Sequence, residues 1–257
     1  MQPNKTLELT ALDGFPLVKP GDPLLPLIET ALTTNAYPLK DNDIIVLAQK
    51  IVSKAENRYL SLDSLKPSTQ ALELAQQCEK DPRLVQAILN ESTAVVRCTP
   101  GVLIVRHRLG FVLANAGIDH SNIPGGDTGE RVLLLPVDPD QSAETLQADI
   151  RQRFGIHVGV LINDSFGRPW RLGTSGVCIG CAGILPLRDH RGEKDIYQQS
   201  LKVTQVARGD ELAAAASLLM GQAAERRPVV IVRGISLSAE TAPATTLVRA
   251  SNEDLFR

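Results

Sequence analysis

Four polar clusters in the chain follow directly on apolar runs, positions where strand ends deliver side chains into a crevice while a core holds them still. The first, Ser53-Lys54-Ala55-Glu56, follows the run Ile44–Ala48 and offers an ammonium and a hydroxyl to a phosphate. A solvated turn would have the same composition. The second is Asn115-Ala116-Gly117-Ile118-Asp119-His120-Ser121-Asn122: its small residues permit close backbone approach to a ligand, and Asp119 supplies hard carboxylate oxygens. An Asx turn is the alternative reading. In the third, Asp164 and Ser165 offer a further ligand pair, and Arg168 and Arg171 flank the only tryptophan with guanidiniums suited to phosphate or carboxylate. The fourth joins residues 189–195 to Met220-Gly221-Gln222. There Glu193 and Lys194 read as a solvated face, and the Gln222 amide suits a metal or nucleotide as readily as a surface cap.

Acidic and amide ligands at strand ends, with lysine and arginine beside them, are the equipment of metal-assisted phosphoryl transfer, where positioning and charge neutralisation do most of the work. No G-x-x-x-x-G-K-[ST] occurs, which excludes a conventional P-loop. Histidines 107, 120, 157 and 190 lack zinc-like spacing. Cys178 and Cys181 form a C-x-x-C pair inside an apolar, glycine-spaced run; with Cys78 and Cys98 isolated, they read as small core residues.

The elements that must hold these groups mix helix and strand without strict alternation. The spacing predicts helices over 23–34, 67–79, 82–91 (capped by Asp81), 142–154 (capped by Ser142) and 210–220, the last stopped by Gly221. Strands are expected at 44–48, 158–162 and 229–232, with a hairpin over 102–114. Residues 50–56 read as a turn leaving the first strand, and 123–137 as loop. The fold class is therefore α+β, with antiparallel hairpins beside helices. The 257 residues carry a formal charge of −2 and 43% apolar side chains, which gives no broad attraction for nucleic acid or an anionic membrane. With no secretory leader and no membrane-span pattern, a reducing cytoplasmic location is expected.

Six blocks in order resemble the coenzyme F420-0:L-glutamate ligases over nearly the whole chain: Gly14-Phe15-Pro16-Leu17-Val18, residues 51–56, residues 115–119 with Ser121-Asn122, residues 164–171, residues 186–189, and Met220-Gly221-Gln222 through Val232-Arg233-Gly234. The resemblance implies that GTP phosphorylates a carboxylate of F420-0 and that L-glutamate displaces the phosphate, with a γ-linked tail to follow. By matching positions, Phe15, Pro16, Leu17, Val18, Gln49, Lys50, Lys54 and Asn122 would contact GTP. So would the segment Met220, Gly221, Gln222, Ala223, Ala224, Glu225, Arg226 and Arg227. Asp119, Asp164, Ser165 and Gln222 would hold two divalent ions, magnesium or manganese, with potassium as a monovalent companion. Gln222 stands where some relatives have glutamate, and Gln49 and Lys50 replace small hydroxyl residues of some members. The general base stays unassigned, with His120 and His190 as candidates. The resemblance further implies one family domain over 1–257 built as two intertwined α/β subdomains, a homodimer, and no fused C-terminal reductase-like domain. The competing readings are a non-catalytic nucleotide- or deazaflavin-binding protein and a ligase of the same mechanism acting on another acid; turnover against a substrate panel separates them.

Overall fold

The computed structural model describes residues 6–125 and 130–254, so residues 126–129 of the loop expected over 123–137 lie outside the described residues. At its centre is a five-stranded sheet ordered β1 (Glu8–Ala11), β12 (Val229–Arg233), β2 (Ile44–Ala48), β8 (Gly159–Arg168), β9 (Arg171–Ala182). Only β2 and β8 run parallel; every other neighbouring pair is antiparallel. The sequence of β2 is β-branched and buried on both faces. Ile45 and Leu47 join the core formed with α1 (Leu24–Thr34) and α5 (Pro139–Phe154), while Ile44 and Val46 join the one formed with α6 (Arg208–Met220).

Glycines set how closely those helices approach. A Cβ on Gly176 would lie 2.4 Å from the Ala213 carbonyl oxygen of α6, and one on Gly180 would lie 2.4 Å from Pro139 of α5. A bulge between the Ile162–Gly180 and Asn163–Cys178 pairs returns Cys178 and Cys181 to the α6 side. Both are buried free thiols, as their apolar, glycine-spaced setting suggested.

Between β2 and α5 the chain makes one long excursion that builds a third core from residues 62–134. It contains β3 (Tyr59–Ser61), α3 (Thr69–Cys78), α4 (Pro82–Asn90), the meander β4 (Ser92–Thr99), β5 (Val102–His107) and β6 (Val112–Ala114), then β7 (Arg131–Leu133), which pairs with β3. Glu56 clasps its two ends: the carboxylate accepts from the Val137 N–H at 2.9 Å and the Ser142 hydroxyl at 2.5 Å. A small ribbon, β10 (Arg188–Asp189) with β11 (Gln205–Val206), completes the described strands. No helix among the described residues is long and apolar enough to cross a membrane.

The architecture is α+β, with mostly antiparallel sheets, and Asp81 caps α4 by accepting from the Arg83 N–H at 2.8 Å. Five local expectations change. Residues 49–55 form a helix, α2 (Gln49–Ala55), since nothing between β2 and Glu56 breaks the chain and Ile51 and Val52 are buried. Strand β4 went unread because it carries two register shifts and mixed exposure. Helix α5 starts earlier than Ser142, capped by Asp138 with Pro139 in the first turn, and Ser142 serves Glu56 instead. The block 163–171 is a continuation of β8 turning into β9, with Trp170 in the left-handed region at the tip. Segment 131–137, expected as loop, opens with β7.

Candidate functional site

A cavity of about 510 Å³ opens where the central sheet meets the excursion. Much of its lining comes from three stretches that sequence separates widely: residues 15–18, the start of α2, and the turn after α6. Phe15 and Val18 are buried in the sheet-side core, which fixes the first stretch. Strand β2 runs into α2 without a break and so presents Gln49, Lys50 and Lys54 to the cavity. Gln49 is held in place by donating to the Ser53 hydroxyl one turn on, at 2.7 Å. The third stretch is set by Gly221, whose φ of 73° and ψ of −179° suit glycine alone.

The mouth is laced by a chain of hydrogen bonds. Lys54 Nζ donates to the Asn122 carbonyl at 2.6 Å, the Asn122 amide donates to the Ala223 carbonyl at 3.2 Å, and the Ala223 N–H donates to Glu225 at 2.8 Å. Arg227 pairs with Asp13 at 2.6 Å across the same mouth.

Two carboxylates from different parts of the fold come together beside the cavity. Asp119 follows the turn after β6 and is fixed by reciprocal backbone hydrogen bonds with Leu133, each 2.9 Å. Asp164 projects from β8, its carboxylate accepting from the Ser165 N–H at 2.8 Å. Burial pushes the Asp164 carboxyl up to about 6, with the negative charge of Asp119 adding to the rise and Ser165 N–H and Lys50 opposing it. Burial likewise raises Asp119, against the pull of Lys50, His120 and Lys54. Lys54 is lowered, by burial and then by the charge of Lys50. Lys50 Nζ bonds Asp119 Oδ1 at 2.7 Å, whereas Asp119 Oδ2 is buried without a hydrogen-bond partner.

These groups fit a hard divalent cation. Two crowded carboxylates, one with an orphaned oxygen, beside the Ser165 hydroxyl and an exposed Gln222 amide, form an all-oxygen set suited to magnesium or manganese. No cluster of three or more His, Cys, Asp or Glu occurs among the described residues, so water or ligand oxygens would complete the coordination.

All sixteen positions that the resemblance assigned to nucleotide contact line this cavity, as do Asp164 and Ser165, while Asp119 sits against Lys50. Arg168 and Arg171 stand apart from the lining, on either side of the exposed β8–β9 tip, where the Arg168 guanidinium donates to the Leu172 carbonyl at 3.3 Å. His120 neighbours Asp119 in sequence and acts on its charge; His190 pairs with Glu193 at 2.9 Å on the exposed ribbon. The block ending Arg233-Gly234 is structural: Arg233 grips buried Asp43 through two 2.7 Å bonds, and a Cβ on Gly234 would strike the Thr6 carbonyl. Tyr59 also lines the cavity, with the Arg131 guanidinium 4.0 Å over its ring, and Asn163 approaches Met220 Sδ at 3.5 Å. Tyr59 carries no sequence signal of its own; only the β3–β7 pairing brings it there.

The F420-0:Gamma-glutamyl ligase family model matches residues 14–234. Among curated relatives, the coenzyme F420:L-glutamate ligase of Methanothermobacter thermautotrophicus is 47% identical over 228 residues, covering 89% of each chain. The protein of the same name from Methanopyrus kandleri is 44% identical over 93% of each chain. That of Haloarcula marismortui is 39% identical over 98% of this chain and 96% of its own.

Proposed function

From the premise that this chain belongs to the F420-0:gamma-glutamyl ligase family and is an amide-forming ligase, we propose that it joins L-glutamate to coenzyme F420-0 at the expense of GTP. In the first step a carboxylate oxygen of F420-0 attacks the γ-phosphorus of GTP, forming an acyl phosphate and releasing GDP. In the second the deprotonated amine of glutamate attacks the acyl carbon; the C–N bond forms, the C–O bond to phosphate breaks, and inorganic phosphate leaves. A second round on the γ-carboxylate of the added glutamate would extend the tail.

One observation carries the reading: two partly buried carboxylates, Asp119 from the excursion and Asp164 from β8, come together beside a cavity edged by Lys50 and Lys54. Divalent ions held by Asp119, Asp164, Ser165 and Gln222 would offset the charge of the phosphates facing the substrate carboxylate. Lys54 and the turn 220–227 bind and orient the nucleotide, and Phe15 to Val18 close its apolar side. A potassium ion is the monovalent companion of this assignment. The homodimer implied by the resemblance is supported by exposed apolar side chains on two projections, Trp170 and Leu172 at the β8–β9 tip and Ile196, Tyr197 and Val203 beyond β10.

The deciding experiment incubates the purified protein with F420-0, GTP, L-glutamate and manganese or magnesium and reads the products by mass. Successive glutamyl additions that require all components are expected. Absence of product under every metal, or equal product with another nucleotide or acid, rejects the assignment as stated. Asp119→Asn should abolish most turnover with little change in melting temperature.

A further inference from the structure

The cavity holds two lysines of α2 one helical turn apart, and they are engaged differently. Lys54 is committed to the mouth, where its ammonium lies 2.6 Å from the Asn122 carbonyl. Lys50 turns inward and bonds Asp119 Oδ1 at 2.7 Å. That ammonium is the sole side-chain partner of Asp119 among the described residues, and the other oxygen, Oδ2, is buried and unpartnered. The charge of Lys50 also reaches Asp164. With Lys50 on Asp119, that carboxylate is already charge-compensated without any ion. A divalent cation on Asp119 would place two positive groups on one carboxylate in a poorly solvated setting, where their repulsion is far stronger than in water.

We propose that Lys50 is a tethered cation that occupies the metal-facing carboxylate of the ligand-free site and is displaced when the ion enters, its ammonium transferring to the phosphates of the incoming nucleotide. This rests on reading Asp119 and Asp164 as metal ligands. Lys50 is then a positioning residue that couples the two ligands. Metal alone must expel the ammonium with no anion to receive it, whereas metal and polyphosphate together restore the balance. By linkage, the factor by which nucleotide tightens metal must equal the factor by which metal tightens nucleotide.

The test is Mn²⁺ binding to the whole protein, read from the electron paramagnetic resonance of free Mn²⁺, with and without a non-hydrolysable GTP analogue and with no F420-0 or glutamate. Wild type is expected to bind Mn²⁺ weakly alone and tightly with the analogue. Lys50→Met, close in shape but neutral, should bind Mn²⁺ alone about tenfold more tightly, equivalent to ~1.4 kcal/mol, and lose most of the gain from the analogue. Lys50→Gln should do the same, and Lys50→Arg should retain the wild-type pattern; melting curves identify any variant that has not folded. Unchanged or weaker Mn²⁺ binding in folded Lys50→Met and Lys50→Gln overturns the tethered-cation proposal while leaving the metal site intact. Failure of wild type to bind Mn²⁺ even with the analogue overturns both.

Discussion

At the level of single residues, the carboxylate pair works against the fold that carries it. The Asp164 carboxyl is raised from 3.8 to about 6 by burial and by Asp119, a rise worth on the order of 3 kcal/mol. A raised acid pKa means the folded state holds the proton more tightly, so the cost is full above about pH 6, fades as pH falls, and vanishes below 3.8. Metal-free Asp164→Asn should therefore melt higher than wild type at pH 8 and equally at pH 3.5, while losing Mn²⁺ binding. Thermal scans across that range check the sign. Gly221→Ala acts oppositely. A Cβ there would sit 2.2 Å from the Glu225 carboxyl carbon, on a backbone only glycine adopts, so the turn must shift and release the Ala223 N–H. Nucleotide affinity should fall at least tenfold by calorimetry, with ~1–3 kcal/mol lost in stability. Sequence named Lys50, Asp119 and Asp164 as candidates, yet the Lys50–Asp119 contact spans 69 positions and has no local signature. Arg168 and Arg171 misled because a polar run after a strand reads alike whether it lines a crevice or continues outward as a hairpin.

Among the elements, periodicity and caps made α1, α3, α4 and α6 legible; α2 was not, being seven residues without a capping side chain. Longer-range ties escaped altogether. Glu91, at the end of α4, binds Arg58 of the β3 approach at 3.1 Å and Arg108 of the β5–β6 turn at 3.1 Å, with buried His107 Nε2 3.4 Å away. His107 Nδ1 accepts from the Leu109 N–H, which leaves the proton on Nε2, toward Glu91. Burial alone would raise Glu91, but His107, Arg58 and Arg108 hold it at about 2. Its contribution is thus present above pH 4.5 and lost as pH falls toward 2. Glu91→Gln should destabilise by about 2–4 kcal/mol at pH 7, since it strands two guanidiniums in a partly buried setting; chemical denaturation at pH 7 and pH 3 should show the deficit shrinking at the lower value.

For the whole molecule, composition and charge excluded broad anionic partners, but the projections were invisible because their apolar residues are scattered in polar sequence. Trp170, 85% exposed, and Ile196, 87% exposed, lie on separate arms. Trp170→Asp combined with Ile196→Asp should convert the proposed homodimer to monomer in light scattering without lowering the melting temperature of the protomer; a dimer that persists in the variant assigns the interface elsewhere. The clasp at Glu56 reaches further. Because the excursion leaves and re-enters the sheet through one doorway, its ends are already neighbours, the geometry of an inserted cassette. Residues 57–136 could be exchanged between homologues as a unit. Asp119 would travel with the cassette while Asp164 stayed with the host, so a chimera would inherit its charge pair from two parents, and catalysis would report how well the two halves agree on distance.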